Sequence, residues 1–202
     1  MTILFILGAL GTVIGLVRAM PQLVKLLRAR EAFGVSVDTA AISSIVSFGW
    51  AAYGVLTHQP YVTFATGCSA LIFALITGFA LRFGRRAKEF KIAPIWLSVL
   101  VLVYLYAGVK GLGVALPVSV LAANLPQIWV ACKEDDLADL SLGTWLLSMS
   151  DGLVWGIYTF FNYDPSIRLF ALFQIATSGT IVALKLANDK KSMKAKISRH
   201  HI

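Results

Sequence analysis

Charge is scarce in this chain. Of its 202 residues only 14% are charged, while 58% are apolar. A soluble domain carries roughly a quarter of charged residues, so the composition excludes an ordinary water-soluble fold. Cysteine is scarce too: Cys68 and Cys132 lie inside or at the end of apolar stretches, and no disulfide framework is implied. The chain has no glycine-rich phosphate loop, no His/Cys cluster with ligand spacing and no nucleophile beside a base. His200 and His201 stand in a basic tail. Enzymatic chemistry is therefore not expected, and neither a cofactor nor a metal is implied.

What the chain has is apolar length. Runs long enough to cross a bilayer recur from end to end, which predicts an all-α polytopic membrane protein. The N-terminus lacks a basic region before its apolar stretch and reads as a retained first helix, about Thr2 to Leu27. Gly8, Gly11 and Gly15 give that helix a small-residue face suited to close contact. Further helices are expected over about Thr39–Thr57, Tyr61–Leu81, Ile92–Val109, Gly111–Cys132, Ser141–Phe161 and Pro165–Leu186.

Two stretches repeat. Met20-Pro21-Gln22-Leu23 matches Leu125-Pro126-Gln127-Ile128, and Ser36, Thr39, Ser43, Trp50, Tyr53 and Pro60 match Ser141, Thr144, Ser148, Trp155, Tyr158 and Pro165. All pairs share one gapless offset of 105 residues, as between Pro21 and Pro126. A duplicated unit of three helices explains this register. The segments are 1–83 (first triple-helix repeat), 92–110 (a linker helix without a counterpart), 111–187 (second repeat) and 188–202 (a basic cytoplasmic tail).

The cations set the expected orientation. With the N-terminus outside and seven spans, the outer side holds only Lys110 and Arg168 among the loop cations, and every other one falls inside. The C-terminus is then cytoplasmic, in a cell or inner membrane. The basic residues read as topology determinants and anionic-lipid contacts of the bilayer, not as a nucleic-acid surface. Both Pro-Gln helices lead into inner loops, so the two halves are parallel, and one extra crossing reconciles that with an odd repeat. The expected architecture is seven transmembrane helices, two parallel three-helix bundles joined by a linker helix (3+1+3). Homo-oligomer formation is left open.

Duplicated halves create a pocket at their interface. Pro21 and Pro126 interrupt the hydrogen-bond ladder of matched helices, with Gln22 and Gln127 beside them, and are read as hinges. Trp50 and Trp155 lie mid-helix, away from the interfacial belt, and suit a pocket platform for an apolar ring face better than core packing. Thr66, Ser69, Gln174 and Thr177 are polar side chains on apolar helices, and Asn124 precedes the second Pro-Gln. Of these, Thr66, Asn124 and Gln174 join the tryptophans as substrate-binding candidates. Asp151 is the one acid well inside a span and reads as a gate or proton site. Arg18 lies near the cytoplasmic end of its helix, where snorkelling is favoured slightly over pairing with Asp151.

The doubled Pro-Gln segments, each followed by Ser-x-x-Thr and Trp-x-x-Tyr, resemble the PQ-loop superfamily. The 3+1+3 layout and Trp50-Ala51-Ala52-Tyr53-Gly54 resemble its SWEET (MtN3/saliva) branch of sugar transporters. That resemblance implies an alternating-access facilitator with proline hinges and a tryptophan pair in its pocket; where the family has pocket asparagines, this chain has Thr66 and Ala171. The expected function is transport of a small neutral solute, a sugar. The alternatives are a proton-coupled carrier of an amino acid or related metabolite, and a non-transporting receptor or assembly protein.

Overall fold

The computed structural model of the chain describes residues 2–32, 35–133, 137 and 140–200. Its elements are α1 (Thr2–Ala29), α2 (Val37–Leu56), α3 (Pro60–Arg82), a 3-10 turn (Ala87–Glu89), α4 (Ala93–Lys133), α5 (Leu142–Phe161) and α6 (Pro165–His200). Six α-helices thus stand among the described residues where seven were expected. The expected fourth and fifth are both carried by α4, and the physical reason lies at Gly108.

Gly108 has φ 59° and ψ −150°, a backbone conformation that glycine alone adopts readily. A straight helix of 41 residues would run about 60 Å, twice the hydrocarbon thickness of a bilayer. Instead Trp96 Nε1 donates to Ser119 Oγ at 3.2 Å. Those residues would lie about 35 Å apart on a straight helix. The element therefore folds back on itself at Gly108 as two antiparallel arms.

The repeated Ser-x-x-Thr turns out to be a helix start. Ser36 caps α2, its Oγ accepting from Thr39 N at 3.2 Å, and Ser141 caps α5 by accepting from Thr144 N at 3.4 Å. Each such cap contributes about 1 kcal/mol. Asp38, in the first turn of α2, accepts from the backbone N–H groups of Lys91 and Ala93 at 3.0 and 2.9 Å. A carboxylate there satisfies orphan donors at the start of α4 and complements its dipole.

Within the first half, α3 packs against both α1 and α2; within the second, α6 packs against both α4 and α5. Across the halves α1 meets α5 and α2 meets α4. One buried cluster runs through both halves, holding Trp50, Tyr53, Leu116, Trp155, Tyr158 and Ile167. A second, with Ala19, Leu26, Val37 and Ile76, belongs to the first half. Outside, Phe5, Phe64, Leu105, Tyr106 and Phe160 are exposed. So much bare apolar surface needs an apolar solvent. Five helices (α1, α2, α3, α4 and α6 up to Lys190) are long and apolar enough to cross a membrane. The chain is a multi-pass membrane protein. The backbone of α6 continues through the basic segment to His200 instead of ending near Leu186.

Candidate functional site

A cavity of about 250 Å³ lies between the halves. All five substrate candidates, Trp50, Trp155, Thr66, Asn124 and Gln174, line it, as does Asp151. The repeat explains the convergence, because matched helices bring matched faces to a shared interface.

The tryptophans are held firmly. Trp50 makes edge contacts with Tyr53 (ring centroids 5.6 Å) and Phe170 (5.5 Å), and Trp155 makes one with its own Tyr158 (5.3 Å). Trp155 lies directly on α1 because position 11 has no side chain: a Cβ there would come within 2.7 Å of Trp155 Cζ2. Its indole Nε1 donates to Asp151 Oδ1 at 3.1 Å.

The other oxygen of Asp151 accepts from Arg18 Nη1 at 3.3 Å. This corrects the snorkelling expectation for Arg18. Packing of α1 on α5 places the two charges side by side, and a carboxylate withdrawn from water gains most from a charged partner. Arg18 also lines the cavity.

Among the smaller polar groups, Asn124 Nδ2 donates to Thr177 Oγ1 at 2.8 Å, which fixes the amide against α6. Thr66 Oγ1 donates to the Val62 carbonyl of its own helix at 2.7 Å. The polar mates facing the cavity from α3 and α6 are Ser69 and Gln174; Ala171, the mate of Thr66, is in the packed interior. Pro21 remains inside α1, in a separate shallow groove with Val24 and Arg28. Gln22 is exposed and Gln127 half-buried; Pro126 falls within the second arm of α4. Pro21, Gln22 and Gln127 are not among the described residues that line the cavity.

Sequence reasoning missed a second cluster, at the end formed by the α2–α3 and α5–α6 turns. Tyr53 Oη donates to Asp164 Oδ2 at 2.9 Å, and Gln59 Nε2 donates to the same oxygen. Asn162 Nδ2 donates to Gln59 Oε1 at 2.7 Å and to Tyr158 Oη at 3.2 Å. Ser166 N and Ile167 N donate to Asp164 Oδ1 at 2.8 and 3.0 Å, so the carboxylate also caps α6. Tyr53, Gln59 and Asp164 are buried. The available signal was Asp164-Pro165, an N-cap followed by proline at the first helical position. Its mate Gln59-Pro60 differs in the capping residue, which hid the pairing.

The geometry defines a multi-pass helical membrane protein with a cavity among its helices and a buried polar network at one end. Its groups can stack on a ring and exchange hydrogen bonds with a small polar molecule. No family model and no curated protein matches the chain. It does match the solved structure of a eukaryotic SWEET transporter, with a TM-score of 0.75 and 14% identity, over 94% of this chain and 98% of that one. The chain has a SWEET-like fold.

Proposed function

We propose that the chain is a membrane carrier that moves a small neutral solute, a sugar, down its gradient by alternating access. The observation that carries this reading is the cavity lined by both tryptophans, Asn124, Gln174 and the Arg18–Asp151 pair. Its volume, about 250 Å³, lies just under the range of drug-sized sites and suits a small solute. The likeness to a SWEET transporter supports the fold, and the residues of the cavity support the rest.

In this reading the chain crosses the bilayer seven times, α4 crossing twice about Gly108, in a 3+1+3 arrangement. The N-terminus is outside and the basic C-terminus cytoplasmic. The Asp164 network is then the outer closure. The two halves rock about Pro21 and Pro126, and the solute stacks between Trp50 and Trp155. A reporter fused to the C-terminus is expected to be active only on the cytoplasmic face; activity only on the outer face would overturn the topology.

The test of function is uptake of a panel of labelled solutes into proteoliposomes against protein-free vesicles. Faster uptake of a sugar, lost in Trp50→Ala and Trp155→Ala, is the expected result. No solute crossing faster than in empty vesicles would overturn the carrier reading, and intact transport in both variants would overturn the stacking pocket. Asp151 in the cavity wall favours a second reading, a proton-coupled carrier of an amino acid or related metabolite.

A further inference from the structure

The repeat that builds the cavity is broken at one contact. Arg18 and Asp151 meet across α1 and α5, and their mates at the repeat offset are Ala123 and Val46. All four residues line the cavity. One wall therefore carries an ion pair where the two equivalent positions of the wall related to it by the repeat carry hydrocarbon side chains.

The two charges are not equally open. The Asp151 side chain keeps 10% of its surface, and each of its oxygens already accepts one bond, from Trp155 and from Arg18. The Arg18 side chain keeps 36%, and its one hydrogen bond among the described residues goes to Asp151. A guanidinium has five N–H donors. Arg18 is thus the group that presents donors to a solute, and Asp151 is the group that positions and neutralises it.

We propose that the Arg18–Asp151 pair is a charge filter. It keeps the cavity electrically balanced, offers donors to the oxygens of a neutral hydroxylated solute, and rejects ionised analogues of the same shape. The inference rests on the reading of the cavity as a solute site. An anion drawn to Arg18 meets the Asp151 carboxylate beside it, and a cation drawn to Asp151 meets the guanidinium. Either gains one attraction and one repulsion at similar range, while losing much of its own hydration. A neutral polyol has no such loss. Val46 and Ala123, at the equivalent positions of the related wall, offer its C–H face an apolar contact.

A merely structural ion pair would hold α1 to α5 and leave selectivity alone, so selectivity is the decisive readout. Full-length protein in detergent is titrated with glucose, glucuronate and glucosamine, the last at a pH where its amine is protonated, and binding is followed by tryptophan fluorescence. Wild type is expected to prefer glucose to both ions. Asp151→Asn should raise the affinity for glucuronate relative to glucose by about tenfold or more, the effect of a newly unopposed charge. Arg18→Gln should do the same for glucosamine. Arg18→Lys, which preserves the charge and separates a folding defect from a charge effect, should keep the neutral preference, and the swap R18D/D151R should restore it. Wild type binding glucuronate as well as glucose, unchanged ratios in both single variants, or no binding of any probe by any of the proteins overturns the filter. Binding in the expected pattern without uptake into proteoliposomes upholds the filter and overturns the carrier reading.

Discussion

Gln59 and Asp164 occupy the same position in the two repeats, and in the folded chain Gln59 Nε2 donates a hydrogen bond to an Asp164 carboxylate oxygen. Repeat mates can touch only near the axis that relates the two halves. This contact therefore marks where the axis leaves the bundle. Tyr53 and Tyr158, also mates, flank it: Tyr53 donates to Asp164, and Tyr158 is tied to Gln59 through Asn162. In the proposed alternating-access cycle a contact placed on the axis would be shared equally by both halves, and rocking between them would strain it.

Tyr53→Phe removes one donor to a buried carboxylate without opening a cavity. A hydrogen bond to a charged group contributes about 1.5–3 kcal/mol, so the closed state should lose roughly tenfold in population against an outward-open one. The measurement uses a cysteine introduced at Thr66, in a background without Cys68 and Cys132, labelled from outside by a membrane-impermeant reagent. Tyr53→Phe should label about ten times faster than the parent. Equal rates would show that this network is not a gate.

Gly108 turns α4 through backbone conformation alone. Nothing lies within 4 Å of the place a Cβ would occupy, so Gly108→Ala makes no clash. The substitution still forces a side chain into φ 59°, ψ −150°, at a cost of about 1–3 kcal/mol. Gly67 also has open space around it, but it lies in the regular helix α3. Gly67→Ala should be neutral or slightly stabilising, because alanine is the better helix former. Thermal unfolding in detergent should place the two variants on opposite sides of wild type. A Gly108→Ala protein as stable as wild type would rule out the proposed backbone strain.

Gly11→Ala acts through its neighbour. The added Cβ meets the Trp155 indole at 2.7 Å, and moving the indole breaks its bond to Asp151. Solute binding should fall by about tenfold or more, since positioned groups lose much of their value when displaced. Trp155→Phe, with a smaller ring, should relieve the crowding. The double variant Gly11→Ala/Trp155→Phe is expected to be more stable than the sum of the single effects implies. Strict additivity would mean that the two residues do not contact each other.

Trp50, Trp155, Asn124 and Gln174 could be read from the sequence as cavity residues because each is an uncommon side chain in the middle of an apolar helix, and duplication brings such positions to one interface. The Ser-x-x-Thr repeat was equally visible, but its physical meaning is a helix start and not a pocket. Gly108 was hidden: glycine is frequent in membrane helices, and Lys110 beside Gly111 looked like the break. Arg18 was hidden for another reason. Snorkelling and pairing are comparable in energy for an arginine near a helix end, and the choice depends on which helix packs beside it. The crossing of α1 and α5 decides that, and no local pattern encodes it.

Asp151 separates passive from proton-driven transport. A proton-coupled carrier needs a group that takes up and releases a proton in every cycle, usually with an exit path of further acids. Asp151 is the sole acid among the described residues that line the cavity. Both its oxygens are engaged, one by Arg18 at 3.3 Å and one by Trp155 at 3.1 Å. Protonation in each cycle would require giving up the ion pair that joins α1 to α5 and unsettling the tryptophan of the binding surface. A passive carrier keeps both. The expected outcome is that uptake of a neutral solute into proteoliposomes has the same initial rate with and without an inward pH gradient, in wild type and in Asp151→Asn alike. Asn retains an acceptor for the indole, so neutral transport should persist at a reduced rate, within about tenfold of wild type given a charged hydrogen bond exchanged for a neutral one. A strong acceleration by the gradient in wild type that disappears in Asp151→Asn would overturn passive transport and make the chain a proton-driven carrier.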